Sequence, residues 1–494
     1  MNNYLGRINT SFRPAEAVAA AKQYTAFAKS SLRGAATGML FTLTAAAAAW
    51  STSPTINTPV STASGTQNET RVVPDGSGGT IIVWVDDRSG NSNIYAQRLN
   101  SEGVAQWTAN GVAACTDINE QLLPQVCADG LGGVIITWED YRVDIDIYAQ
   151  RLNASGVPQW TANGVSVCSQ SNIQFRSQII GDGAGGSIVI WADARTGAVN
   201  SYAQRLDASG VAQWTADGVA LTNAPERFDF PQLVSDGSGG AIVTWQNIGP
   251  TFTGDIHAQR INNSGIVQWG VGGLAVCANL SDQQSPQLTT DGLGGAIIVW
   301  NDNRNGSSDI YAQHINAAGS AQWTADGVPA RAGTGDAFYP QVVSDGSGGA
   351  ICCWHDSRGG NFDIYAQRLN GSGVVQWTSN GVIIADEAGD QVAPITKSDA
   401  SGGAVIVWND TRSGAFDIYA QQINASGITQ WVANGAPVST AANNQTYPQL
   451  VIDGSGETIV TWGDTRTGAS DVYASRVSTS GALVPVSLSG FSLD

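Results

Sequence analysis

Short apolar runs alternate with glycine-rich turns along most of the chain. Residues 340–384 show one complete unit: PQVVS, the turn DGSGG, AICCW, the loop HDSRGGNFD, IYAQRLN, the turn GSG and VVQWTSNGVII. The apolar runs have the length of strands rather than helices, and an Asp-Gly-x-Gly-Gly turn supplies the positive backbone angles at which a hairpin reverses. Each unit therefore predicts four short antiparallel strands.

Tryptophan sets the period of this pattern. All 16 tryptophans fall into two series, and members of the first series are 53 to 55 residues apart. Four short strands repeated at this spacing are typical of a propeller blade, whereas β-helices need far shorter repeats. The sequence predicts an all-β, eight-bladed β-propeller with four-stranded blades. The first series is Trp84, Trp138, Trp191, Trp245, Trp300, Trp354, Trp408 and Trp462, and the second is Trp50, Trp107, Trp160, Trp214, Trp269, Trp323, Trp377 and Trp431.

The two ends of the repeat region complement each other. The segment WSTSPTINTPVSTA at residues 50–63 matches the end of a repeat, WVANGAPVSTA at residues 431–441, and the last repeat runs out without its second tryptophan. We expect the N-terminal strand to complete the last blade, which leaves no unpaired sheet edge.

The residues before this region have the order of an export signal. Lys29 and Arg33 precede the apolar run AATGMLFTLTAAAAA at residues 35–49, which ends in small residues. The run is shorter than the roughly 20 residues of a membrane-spanning helix. We predict a signal or export segment at 1–49, the propeller at 50–483 and a linker or tail at 484–494. The mature protein is expected to be secreted or on the cell surface, without stable membrane insertion.

The net charge limits which partners the protein can bind, and the cysteine content bears on disulfide formation. The net charge is −18, which disfavours nucleic acid and anionic membranes. Six cysteines are present, and export would permit disulfides. Three of them share a repeat position that holds other residue types elsewhere, so we interpret them as small fillers, with Cys115 and Cys127 as the one pair to check. No metal and no cofactor is expected.

A recurring Asp-x-Arg signature follows the first tryptophan in seven of the eight units. A planar guanidinium held between this Asp and the acidic or amide residue before the next strand would fix the loop at one end of each blade. The alternative is a ring of ligand-binding sites. The candidate residues are Asp86, Arg88, Asp140, Arg142, Asp193, Arg195, Asp302, Arg304, Asp356, Arg358, Asp410, Arg412, Asp464 and Arg466.

The fourth unit departs most from the repeat, because residues 247–254 replace the usual loop and lack the Asp and the Arg. Catalysis usually needs an asymmetric set of residues, and no nucleophile and base stand out from the repeat pattern. His257, His314 and His355 are interpreted as substitutions at repeat positions. No catalytic residue is therefore predicted. A functional site found in one unit only would be sought first in the fourth unit.

The string W-x-D-x-R-x-G-x-x-D-I-Y, at 300–311 and 408–419, resembles the repeats of secreted bacterial propeller proteins of the sialidase-like type. The resemblance covers about residues 50 to 481. The segment 344–349 keeps only part of the sialidase Asp-box, and arginine and tyrosine recur evenly, so no sialidase catalytic residue is carried over. The final VPVSLSGFSLD resembles linkers of Bacteroidetes-type surface proteins, which implies a sorting domain beyond it.

Three functions are compatible with these features. The first is a non-enzymatic, secreted or cell-surface binding or scaffolding module, multivalent for a polysaccharide or another surface protein. The alternative is a sialidase-like glycan-processing enzyme, which predicts a single acidic pocket at the central channel built from non-equivalent residues. The third is a structural subunit of an extracellular assembly. The first is preferred, and the chain is accordingly predicted not to be an enzyme.

Overall fold

The computed structural model describes residues 50–222, 227–249 and 253–484. The predicted export segment at 1–49, most of the tail at 484–494, and Pro250 to Phe252 of the irregular fourth unit lie outside the described residues. The described residues contain no helix long and apolar enough to cross a membrane.

The described residues form 32 strands in eight antiparallel four-stranded sheets, which confirms the predicted all-β, eight-bladed propeller. The strands of blades 1 to 4 are β2 (Gln67–Pro74), β3 (Thr80–Asp86), β4 (Asn93–Leu99), β5 (Val112–Cys115); β6 (Gln121–Ala128), β7 (Val134–Asp140), β8 (Asp146–Leu152), β9 (Val165–Cys168); β10 (Gln174–Gly181), β11 (Ser187–Asp193), β12 (Asn200–Leu206), β13 (Val219–Ala220); and β14 (Arg227–Ser235), β15 (Ala241–Ile248), β16 (Gly254–Ile261), β17 (Leu274–Cys277).

The strands of blades 5 to 8 continue the series. They are β18 (Gln283–Thr290), β19 (Ala296–Asp302), β20 (Asp309–Ile315), β21 (Val328–Arg331); β22 (Ala337–Ser344), β23 (Ala350–Asp356), β24 (Asp363–Leu369), β25 (Val382–Ala385); β26 (Gln391–Ser398), β27 (Ala404–Asp410), β28 (Asp417–Ile423), β29 (Ala436–Ser439); and β30 (Gln445–Ile452), β31 (Thr458–Asp464), β32 (Asp471–Val477) with β1 (Thr58–Ser61).

Strand β1 closes the ring, as the sequence predicts. It pairs antiparallel with β32, so the last sheet has the order β1-β32-β31-β30. The first strand of each blade contacts the first strands of both neighbours, and β30 contacts β2. Eight first strands therefore surround the central channel, and we call them the inner strands.

The second tryptophan series joins neighbouring blades. The indole Nε1 of Trp107 in blade 1 donates to the carbonyl of Ala154 in blade 2 at 3.1 Å. The ring also packs on Gly156, where a Cβ would lie 2.7 Å from the indole, so this turn position excludes any side chain. Trp50 makes the same contact to the turn of blade 1, through the carbonyl of Ser101 at 2.7 Å. The first residues of the described chain thus complete the set of interblade contacts.

The turn aspartates are paired across the blade. Arg98 on β4 donates through Nε to Asp75 of the Asp-Gly-x-Gly-Gly turn at 2.9 Å, and Asp75 also accepts two backbone N–H groups of its own turn. In two blades the arginine is replaced, but His314 and Gln422 keep the contact to the turn aspartate. The turn carboxylates therefore have a structural role. All six cysteines are buried and free, including Cys115 and Cys127.

Blade 6 has a different residue at one buried position of its inner strand. In most blades a buried glutamine begins the inner strand and its amide donates to carbonyls of the preceding loop, as Gln391 does to Gly389. Blade 6 has Ala337 there, and Arg331 of β21 fills the space with its guanidinium, 1% exposed. Arg331 donates to the loop carbonyls of Thr334 and Gly335 at 2.6 and 2.9 Å. It is also ion-paired with Asp309 and Asp356.

Arg331→Ala should lower the free energy of unfolding by about 3–5 kcal/mol, because it leaves buried carboxylates and loop carbonyls without their donor. The double variant Arg331→Ala with Ala337→Gln reproduces the natural combination of Ala385 and Gln391, and should recover part of this loss. Chemical denaturation of the three proteins measures both effects. Equal stability of the single variant and the wild type would contradict the assignment.

Candidate functional site

The predicted Asp-x-Arg residues meet in a closed cluster in each of the seven blades. In blade 1 the buried carboxylate of Asp86 accepts from Trp84 Nε1 at 2.7 Å, from Arg88 Nε at 2.7 Å and from the Arg88 backbone at 3.0 Å. The guanidinium lies 4.0 Å above the ring of Tyr95 and donates to the carbonyl of Asn110. These partners use most of the hydrogen-bonding capacity of both side chains.

The same ion pair recurs in all seven blades, and hydrogen bonding to Asp140 raises the pKa of Arg142. The predicted second partner of the guanidinium, an acidic or amide side chain, does not hold it in blade 1, where the Asn93 amide donates to Ser89 and Asn91 instead. Ligand binding by the signature residues stays a prediction. The pairs are Asp86 with Arg88, Asp140 with Arg142, Asp193 with Arg195, Asp302 with Arg304, Asp356 with Arg358, Asp410 with Arg412, and Asp464 with Arg466.

The inner strands contain a feature that the repeat pattern alone did not predict. Each is interrupted by a β-bulge, and the residue at the bulge has a positive φ of 49 to 56°. A proline follows it in six blades, and proline cannot donate to a ladder, so it marks such interruptions. The eight bulge residues, here called the bulge ring, are Glu69, Leu123, Arg176, Phe230, Ser285, Tyr339, Ala393 and Tyr447.

The bulge ring is chemically unequal although the backbone repeats. Four bulge N–H groups donate to side chains that are found in one blade only. Glu69 accepts from Leu123, Glu139 from Arg176, Asp229 from Phe230, and His355 Nδ1 from Ala393, at 2.7 to 3.3 Å. These contacts hold carboxylates and an imidazole at one end of the channel.

A group of ionisable side chains spans blades 1 to 4. Burial raises the pKa of Glu139, whose carboxylate is 4% exposed; the Arg176 backbone N–H opposes the shift and the charge of Glu69 adds to it. Burial also raises the pKa of the Tyr141 phenol, and the charge of Glu139 adds to the shift. Arg176 is ion-paired with Asp229. Glu69 and Glu139, here called the carboxylate pair, lie on neighbouring blades, and Glu139 is the buried member.

A second group surrounds His355 in blade 6. Its ring centroid lies 4.6 Å from Phe362, 5.1 Å from Tyr339 and 6.0 Å from Phe338. Burial lowers the pKa of His355 to about 4, against the charges of Asp356 and Asp390. The imidazole is therefore neutral at pH 7 and acts as an acceptor for the bulge N–H of Ala393.

A cavity of about 680 Å³ lies between the inner strands of blades 1 to 4, 7 and 8. Glu69, Arg71, Gln125 and Tyr447 are among its lining residues. Arg71 donates to Gln125 at 3.2 Å, and burial lowers its pKa against the charge of Glu69. Among arginines with described side chains, only Arg71 has no carboxylate within ion-pair distance.

The sequence contained a signal for these residues. Glu139 and Tyr141 flank the repeated Asp140, at positions that hold other residue types in every other unit. His355 occupies the position of Glu139 in blade 6. Interpreting His355 as a substitution at a repeat position missed its contact to the bulge N–H of Ala393, because that contact depends on the bulge.

No family model matches the chain, and no curated protein matches it. Several solved structures are similar to it. A polysaccharide lyase, an ulvan lyase bound to -[GlcA(1-4)Rha3S]-, is 10% identical over 71% of this chain and 90% of its own, with a TM-score of 0.47. A Hadza microbial sialidase is 13% identical over 65% and 72%, with a TM-score of 0.36. An endo-arabinase from Bacteroides thetaiotaomicron is 15% identical over 53% and 96%, with a TM-score of 0.30.

These proteins are enzymes that act on carbohydrates, and this finding contradicts two predictions. The first is the preferred non-enzymatic binding or scaffolding module and the second is the prediction that the chain is not an enzyme, and neither is proposed again. The likeness itself concerns the fold, so the activity of this chain is argued below from its own residues.

The titration of His355 makes the stability of the folded chain depend on pH. Its pKa is about 4 in the folded chain and 6.5 as the unperturbed value, so the unfolded chain binds the proton more readily. The stabilising contribution of neutral His355 is complete above pH 6.5 and is lost as the pH falls towards 4. His355→Asn, which places the residue of blades 5 and 7 at this position, should unfold with a shallower loss of stability over this interval. Denaturant midpoints at several pH values measure it, and parallel curves would refute it.

Proposed function

We propose that the chain is a glycan-processing enzyme that hydrolyses glycosidic bonds at the bulge ring. One observation carries the proposal: the repeats become chemically unequal at this ring, where Glu69 lines the cavity and the buried Glu139 accepts the bulge N–H of Arg176. Most other arginines of the repeats lie in equivalent ion pairs, such as Arg88 with Asp86 and Arg98 with Asp75. The asymmetry is what a catalytic site requires.

Glycoside hydrolysis uses one protonated and one ionised carboxyl group on the two sides of the bond. Glu139 suits the acid, because burial raises its pKa and favours the protonated form. Glu69 lines the cavity and suits the second role, as nucleophile or as base towards water.

The remaining lining suits a polymer of sugars. The amides of Gln125, Gln178, Gln232 and Gln449 present donors and acceptors for hydroxyl groups. Arg71, free of a carboxylate partner among described residues, supplies a charge for a carboxylate or sulfate substituent. We therefore propose a polysaccharide as substrate.

We further propose an extracellular site of action. The apolar run at 35–49 supports export, and the proposed division remains an export segment at 1–49, a propeller at 50–483 and a tail at 484–494. The repeat string and the final segment support a secreted bacterial protein of the Bacteroidetes type.

Substitution of the carboxylates tests the proposal. The wild type should release reducing ends from at least one polymer in a panel of carboxymethylcellulose, xylan, arabinan, polygalacturonate and alginate. Glu139→Gln and Glu69→Gln should each lower kcat by about 10²–10⁴-fold, because each removes a proton donor or an ionised carboxylate while keeping the shape and the acceptor for the bulge N–H.

Glu102→Gln is the matched control, since Glu102 is exposed on a turn and should leave the rate unchanged. Full activity of both glutamine variants, or no cleavage by the wild type, would refute the proposal. An unsaturated uronic acid product, detected by ultraviolet absorbance, would replace hydrolysis with elimination.

A further inference from the structure

The bulge ring contains three exposed aromatic residues that the fold does not require. Tyr447, Tyr339 and Phe230 are 74%, 62% and 44% exposed, with φ of 56°, 53° and 49°. Positive φ is unfavourable for bulky side chains, and exposure of an aromatic ring gains no burial. Ser285 and Ala393 adopt the same backbone, so the bulge itself tolerates small residues. An aromatic side chain that is both strained and exposed does not stabilise the fold, and this indicates a functional role.

The aromatics have a regular placement around the ring. They belong to blades 4, 6 and 8, so Phe230 and Tyr447 lie on opposite sides of the eight-bladed channel. Between them, on the side of blades 1 to 3, lie Glu69 and Glu139 with its contact to Arg176. A polymer that runs from Tyr447 to Phe230 on this side passes the carboxylate pair.

Two of these three rings each have one neighbouring charged or aromatic group, and the third has none among the described residues. The guanidinium of Arg176 lies 5.1 Å from the centre of the Phe230 ring, and His355 lies 5.1 Å from Tyr339. Tyr447 lines the cavity, and within the described residues no aromatic or cationic partner covers its ring. Each ring thus keeps surface available to a flat apolar partner.

We propose that Tyr447 and Phe230 are stacking subsites for pyranose rings on the two sides of the carboxylate pair, and that Tyr339 extends the platform. The apolar C–H face of a pyranose matches an exposed aromatic face, while the cavity amides meet its hydroxyl groups. The enzyme then binds sugars on both sides of the bond it cleaves, and cuts the polymer internally. The cleavage pattern rests on the proposed function, whereas stacking can be measured without turnover.

Affinity gel electrophoresis with the same polysaccharide panel tests stacking. Tyr447→Ala and Phe230→Ala should each weaken binding of the retained polymer by roughly tenfold. Tyr447→Phe should bind like the wild type, because stacking uses the ring and not the hydroxyl. Both alanine variants should fold, since Ala393 occupies the equivalent position in blade 7. Unchanged mobility of the alanine variants, or no retardation of the wild type by any polymer, would overturn the inference.

Internal cleavage has its own readout. The wild type should lower the viscosity of its polymer well before many reducing ends appear, and Tyr447→Ala should raise KM more than it lowers kcat. If Glu139→Gln abolishes turnover while the alanine variants bind normally, stacking fails and the proposed function stands. If the alanine variants lose binding while Glu139→Gln turns over normally, stacking stands and the proposed acid role fails. Release of monosaccharides from the start would overturn internal cleavage.

Discussion

A fully buried carboxylate in seven of the eight blades constrains most of this structure. Asp86 and its equivalents are 0% exposed, and a desolvated charge is costly unless every acceptor site is used. The carboxylate binds the indole of the buried tryptophan, a guanidinium and a backbone N–H, and the guanidinium stacks on a tyrosine and donates to the next loop. Because each member of the cluster satisfies another, the residue types at these positions have little freedom to change.

The two exceptional blades show how strict this constraint is. Blade 4 lacks the Asp and the Arg, and Phe228 packs on Trp245 at 5.5 Å where other blades have the buried glutamine. Blade 6 keeps Asp356 but loses that glutamine, and the guanidinium of Arg331 supplies the missing donors. In both cases the change at one position is matched by a different residue at a neighbouring position, so the interior stays filled.

The sequence predicts the blade number, the strand pattern and the closure by β1, because these follow from the tryptophan period and from matching ends. The bulge ring could have been predicted from the sequence but was not. Pro124, Pro231 and their equivalents interrupt otherwise regular strands, and proline marks such interruptions. The carboxylate pair could not be predicted in the same way. Glu69 and Glu139 lie on different blades, and their interaction depends on how far the channel brings an inner strand towards the second strand of the next blade.

The residues that differ between blades lie where the packing constraints on the repeats are absent. At a bulge, the residue leaves the hydrogen-bonded ladder, so its side chain is freed from cross-strand packing and from the buried carboxylate cluster. Substitution there changes the chemistry of the channel without disturbing a blade, and Ser285, Ala393, Arg176 and Tyr447 all occupy the same backbone. A propeller of near-identical blades can therefore acquire unequal chemistry at its bulges while the blade interior is kept. In this chain Glu69 occupies one bulge, and Glu139 of blade 2 accepts the bulge N–H of Arg176 in blade 3.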